Sequence, residues 1–120
     1  HELFVPAKFE QWAWSTDPQG HPHGGSCIYL TTGDYAKLGA IYMNGGTYRG
    51  HRYLSEEWVR IVLERGYEMK PLTEDTEVYG KGGMHGQKLA VQPRARRVVA
   101  VHGHGPYGDA LEEWLYKNQE

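Results

Sequence analysis

Two apolar runs late in the chain, Lys88-Leu89-Ala90-Val91 and Val98-Val99-Ala100-Val101, are separated by Gln92-Pro93-Arg94-Ala95-Arg96. A connection this short cannot carry the crossover that parallel strands need, so the runs predict an antiparallel hairpin. Just ahead of it, Gly80, Gly82, Gly83 and Gly86 fall within seven positions, which predicts a glycine loop leading into the first strand. Just behind it, Ala110, Leu111, Trp114 and Leu115 recur at helical spacing after an Asp109 cap, predicting a last helix over 109–117. Antiparallel strands packed with helices make an α+β chain.

Two more helices are written upstream. Thr31-Thr32-Gly33-Asp34 reads as a helix start, because a Thr hydroxyl can accept from an orphan N–H of the first turn. Ala36, Leu38, Ala40, Ile41 and Met43 supply its apolar positions, and Asn44-Gly45-Gly46 ends it with residues that tolerate a left-handed backbone. Thr47-Tyr48-Arg49-Gly50 then reverses the chain into a short extended piece, His51-Arg52-Tyr53-Leu54. Ser55 caps a second helix with Glu56 and Glu57 in its first turn, where the helix dipole favours carboxylates, and Gly66 closes it. Residues 67–79 read as a loop. The first 25 residues read as irregular, with Trp12 and Trp14 two apart as on one face of a strand, a turn at Asp17-Pro18-Gln19-Gly20 and an elbow at Gly24-Gly25.

A length of 120 residues allows one domain or a piece of a larger one, and excludes two independent cores. Nine Tyr, 4 Trp and 2 Phe are enough bulky material for a small core, which argues against disorder. A formal net charge of −2 gives no reason to expect nucleic acid as a partner. No apolar stretch approaches the roughly 18 residues that span a bilayer, and His1 to Trp14 holds no signal-peptide core. The expectation is a soluble, cytoplasmic chain with no membrane partner; any leader would belong to a missing N-terminal part.

Seven histidines raise the question of a metal, above all the pairs His21-Pro22-His23 and His102-Gly103-His104. Neither pair is followed by the further ligand that a closed site needs, and no H-x-x-x-H or H-E-x-x-H occurs, so turn and surface histidines are expected, with a small His-rich metal protein as the weaker reading. The single Cys27 excludes an internal disulfide, and its place in Ser26-Cys27-Ile28-Tyr29 predicts a buried, inert thiol. The stretch Tyr79-Gly80-Lys81-Gly82-Gly83-Met84-His85-Gly86-Gln87 carries most information. It is no phosphate-binding P-loop, because it lacks the following Lys-Ser/Thr and leads into a strand. Glycines before a strand either make a tight turn with a bulge or let a ligand approach backbone N–H groups closely enough to hold an oxyanion. Lys81 and His85 beside them would polarise a substrate carboxylate or face water.

At this point the residues resemble a family. Gly24-Gly25-Ser26-Cys27-Ile28-Tyr29-Leu30-Thr31-Thr32-Gly33-Asp34-Tyr35-Ala36-Lys37-Leu38-Gly39 is similar to the run G-G-x-x-(small)-Y-x-T-x-x-D-x-A-(K/R)-(L/F)-G of serine hydrolases of the β-lactamase and penicillin-binding-protein superfamily, in its class C-like and esterase branch. Tyr42 to Gly50 and Arg52 to Val59 continue the likeness, and Gly83-Met84-His85-Gly86-Gln87-Lys88-Leu89-Ala90-Val91, with Pro93 and the valine run, resembles the family's late strand pair. Together these cover most of positions 12 to 105. The S-x-x-K motif that supplies the family's nucleophile is missing: Ser15, Ser26 and Ser55 are followed three residues later by Pro18, Tyr29 and Trp58. The resemblance therefore implies a C-terminal third that begins after the S-x-x-K and Y-x-N parts. Its third motif, K-T-G or H-x-G, would fall near Tyr79-Gly80-Lys81 and is replaced there.

Carried over onto this chain, the resemblance implies that the N–H of Met84 is an oxyanion donor, with Lys81, Gly83, His85, Gly86 and Gln87 lining a pocket for a small amide or ester. It implies no cofactor and no metal. The implied partners are that substrate, a missing N-terminal segment or partner chain that brings the nucleophile, and a second copy of the chain across exposed strand edges. The alternative is a binding or assembly module that kept the fold and lost the chemistry.

Overall fold

The computed structural model describes residues 2–66, 70–71, 78–83, 86–103, 105 and 107–118. The chain runs β1 (Trp12–Trp14), β2 (Ile28–Leu30), α1 (Thr32–Met43), β3 (Thr47–Tyr48), β4 (His51–Arg52), α2 (Glu56–Arg65), β5 (Lys70–Pro71), β6 (Tyr79–Gly82), β7 (Lys88–Gln92), β8 (Arg97–Val101) and α3 (Tyr107–Lys117). β5, β6, β7 and β8 form one antiparallel sheet in that order, and β1–β2 and β3–β4 are two-stranded. The α+β class and the β7–β8 hairpin stand as the sequence predicts.

β7 organises the core, because both of its faces are covered. Leu89 and Val91 point to one side and join Val62 of α2, with Tyr35, Leu38, Tyr42 and Met43 of α1 packed against them. Ala90 points to the other side and meets Val78 and Leu115, with Leu111 of α3 alongside. Gln92, also on that side and 2 % exposed, donates from Nε2 to the carbonyl of Leu115 at 2.9 Å and accepts from Arg97 Nη1 at 2.9 Å. A buried amide satisfied at both ends fixes where α3 ends against the sheet. Lys88 pairs with Glu112 of α3 on the same side. The sheet is thus a middle layer between α1 with α2 and α3.

The helix ends follow the sequence closely. Thr31 accepts from the N–H of Asp34 at 3.1 Å, and Ser55 from that of Trp58 at 3.0 Å. Beyond α1, Gly46 N–H donates to Ile41 and Gly45 N–H to Tyr42, which is the double C-terminal closure that glycines permit. Gly46 has φ +98°, and a Cβ there would collide with the carbonyl of Leu54. Gly39 has no unusual φ, yet it is the point where α1 meets the sheet: an added Cβ would stand 2.5 Å from Val98 Cγ1 and 3.0 Å from Leu89 Cδ1. β3 and β4 are joined through Arg49 and Gly50, both at positive φ, as a two-residue hairpin requires.

Several expectations need correcting. The glycine loop is in its first part a strand, because Tyr79 to Gly82 pair with Val91 to Lys88; glycine weakens a strand without forbidding it when both neighbours hold it in register. Pro71, read as loop, pairs with Tyr79. Ile28–Leu30 is a strand that completes a hairpin with the tryptophan strand, Trp12 opposite Leu30 and Trp14 opposite Ile28. Cys27 is exposed, not buried, with φ +64° at the entry to β2, where the chain turns outward and leaves the thiol outside the core. α3 begins at Tyr107, so Asp109 lies within its first turn and does not cap it.

Candidate functional site at the glycine turn

β6 and β7 are joined by a five-residue turn. Its closing bond is made by Gly83 N–H, which donates to the Gln87 carbonyl at 2.9 Å. Gln87 folds over Gly83 so closely that a Cβ on Gly83 would meet Gln87 Oε1 at 2.9 Å. Gly86 has φ +90°, and a Cβ on it would strike the carbonyl oxygen of Gly105. Gly86 is thus needed for a close backbone approach to the segment after β8, whereas a side chain at Gly83 would displace that of Gln87. Met84, His85 and His104 lie outside the described residues. Lys81 is exposed on β6 opposite Leu89, Gln87 is exposed and Gly86 half-buried. Gly83 and Gln87 are therefore in direct contact, while Lys81 stands two positions back along the strand. Because the N–H of Gly83 closes the turn, any oxyanion donor must come from another residue.

His102 belongs to this end of the sheet, and the sequence reading placed it only among the histidine pairs. Its Nδ1 is 3.1 Å from Thr32 Oγ1 at the start of α1, and its ring stacks on Tyr35 with centroids 5.1 Å apart and planes 7° from parallel. Burial pushes the Tyr35 phenol above its ordinary value. The signal in the sequence was alternation: 98, 100 and 102 fall on the side of β8 that meets α1.

Asp34, the acid in the family-like Thr-x-x-Asp run, is a structural bolt. Its carboxylate is 1 % exposed, accepts from the backbone N–H of Glu10 at 2.8 Å and of Gln11 at 3.2 Å, and pairs with Lys37 Nζ at 2.7 Å. Burial pushes its pKa up, but the Lys37 ammonium and those N–H groups outweigh it and hold the carboxyl below its ordinary value. The bolt fastens the segment before β1 to α1.

Among the described residues no three of His, Cys, Asp and Glu are grouped closely enough to hold a metal ion. His21, the residue after the Asp17–Gly20 turn, has its Nδ1 3.2 Å from Asp17 Oδ2. A shallow depression lined by Glu2, Pro6, His51, Arg52 and Tyr53 contains none of the turn residues. No described helix is long and apolar enough to cross a membrane. Tripeptides of the Y-x-N/S form do occur, at Tyr42-Met43-Asn44, Tyr53-Leu54-Ser55 and Tyr116-Lys117-Asn118, which corrects the expectation that the chain lacks them. They end α1, cap α2 and end α3. Each is accounted for by a helix terminus.

No family model matches the chain. Among solved structures, it is similar to a protein assigned as a 6-aminohexanoate-dimer hydrolase, from Bacillus anthracis, with a TM-score of 0.74 and 15 % identity. The match covers 98 % of this chain and 35 % of that one. The likeness is one of fold: nearly the whole chain is laid out as about a third of that protein, whose fold is β-lactamase/transpeptidase-like.

Proposed function

We propose that this chain is the closing, C-terminal third of a β-lactamase-like serine hydrolase of the class C-like and esterase branch, one that cleaves an amide or ester through an acyl-enzyme. The observation that carries the reading is the fold match, complete on this side and one-third on the other, joined to the missing S-x-x-K. In the assembled enzyme a Ser from another segment or partner chain, activated by Lys and Tyr, attacks the substrate carbonyl. The leaving group departs, and water releases the acyl group. No cofactor or metal enters this chemistry. The N–H of Met84 is the proposed oxyanion donor, since that of Gly83 is spent on the turn. Lys81, Gly83, His85, Gly86 and Gln87 make the pocket wall. The name of the structural neighbour supports a linear amide with a free carboxylate as substrate class.

Reconstitution tests this. The chain combined with the serine-bearing part is expected to hydrolyse a linear amide that neither part hydrolyses alone. Met84→Pro is expected to lower turnover by about 10²–10³, with strand signals in NMR showing that β6 and β7 remain paired. Near wild-type turnover would reassign the donor.

A specific observation favours a second reading, a non-catalytic binding or assembly module. Trp12, Trp14 and Ile28 on one face of the β1–β2 hairpin, and Tyr29 on the other, are 37–60 % exposed, apolar area that another protein surface, or a second copy of the chain, can cover. Persistent partner binding with no hydrolysis by any assembly would decide for it.

A further inference from the structure

We propose that His102 is a substrate-binding residue of the glycine-turn site, presenting an Nε2–H donor to an acceptor oxygen of a linear amide substrate; the proposal rests on the hydrolase reading above. The placement comes from register. Leu89 is opposite Ala100 and Lys88 opposite Val101, so the next step of the ladder sets Gln87 opposite His102. Alternate residues share a face, and Leu89, Val91, Val98 and Ala100 face α1. Gln87 and His102 continue that face past the end of the core. Lys81, opposite Leu89, and Gly83, bonded to Gln87, lie on the same face of β6. One end of one sheet face therefore gathers Lys81, Gly83, Gln87 and His102 from three successive strands.

His102 is held there in a way an idle surface histidine is not. Its ring is stacked flat on Tyr35, and Nδ1 is engaged by the Thr32 hydroxyl, 70 residues away in sequence. Among the described residues the other ring nitrogen has no protein partner. A Thr O–H that donates to Nδ1 leaves the neutral imidazole with its proton on Nε2. The result is an exposed hydrogen-bond donor whose orientation is fixed before a ligand arrives, which is how binding residues reduce the entropy lost on association.

The test uses the 120-residue chain, 15N-labelled, with the 6-aminohexanoate dimer as probe. At a pH where the imidazole is neutral, long-range 1H–15N correlations are expected to show the Nε2–H tautomer of His102. Thr32→Val is expected to erode that preference and Thr32→Ser to restore it. The dimer is expected to shift His102 and the Gln87 side-chain amide saturably, with affinity reduced about three- to tenfold in His102→Phe, which keeps the stacked ring and loses the donor. Thr32→Val, which leaves His102 in place, is expected to weaken binding in the same direction. An Nδ1–H tautomer, no saturable shift, or unchanged affinity in His102→Phe with β7–β8 signals intact overturns the assignment. Failure of the hydrolase reading is seen separately, as absence of covalent serine label on every chain of the assembled material, which leaves the His102 measurements standing.

Discussion

The molecule contains two hairpins of similar residue type and opposite fate. In β7–β8 the first strand is sealed between helices, with Leu89, Ala90 and Val91 at 0–1 % exposure. In β1–β2 the aromatic strand has Phe4 beneath it, with Trp12 at 5.4 Å and Trp14 at 6.3 Å between ring centroids, yet both indoles remain at least 40 % exposed. Apolar side chains alone therefore do not make a core; a second layer on the other side does. The comparison also has a functional content. The covered hairpin positions the glycine turn, while the open one keeps its aromatic side chains in solvent.

The largest expected effect comes from the bolt that joins these regions. Asp34→Ala removes the buried partner of Lys37 and of two backbone N–H groups, and is expected to cost about 3–5 kcal/mol in denaturant unfolding. The same residue gives a pH signature. Its folded pKa lies below the ordinary 3.8, so its stabilisation is fully present above that value and fades as pH falls through the lowered folded value. The acid limb of a stability–pH curve is expected to flatten in Asp34→Ala, and an unchanged limb would remove Asp34 from the account.

Next in size is the sealed strand. Leu89→Ala is expected to cost about 2–5 kcal/mol, because its neighbours on α1 and α2 are held and can only partly close the cavity. Gly39→Ala is expected to cost about 1–3 kcal/mol through overpacking against Val98 and Leu89, offset by up to about 1 kcal/mol of helix propensity. A stabilised Gly39→Ala would mean that α1 does not press on the sheet at that point. Smallest is the open hairpin. Tyr29→Lys is expected to change stability by no more than about 0.5 kcal/mol, while reducing any self-association seen in sedimentation velocity. A loss comparable to Leu89→Ala would show that β1–β2 is covered after all and would break the comparison.

Much of this was legible in the sequence. Thr31, Ser55, Asn44-Gly45-Gly46 and Gly66 announce their helix ends because capping is a local exchange of hydrogen bonds. The β7–β8 hairpin is legible for the same reason, since turn and strands are contiguous. β2 was not, because Ile28-Tyr29-Leu30 becomes a strand only through pairing with residues some sixteen positions earlier. The Cys27 environment failed on the same ground, since burial is decided by what lies opposite. The strand character of Gly80-Lys81-Gly82 was hidden by glycine content, and is imposed by Ala90, Leu89 and Lys88 across the ladder. At the site, the contact between Gly83 and Gln87 was foreshadowed by spacing, whereas the link of His102 to Thr32 and Tyr35 spans most of the chain and leaves only a faint alternation in the sequence.

We propose that this chain supplies a wall of a hydrolase site but not its nucleophile. The most direct measurement is intact mass after treatment with a fluorophosphonate, on the chain alone and on the chain assembled with its complementing part. The expected result is no mass added to the 13.7 kDa chain in either state and one label on the heavier partner. A covalent adduct on the chain itself would reveal a nucleophile where the motif reading finds none, and would contradict the account.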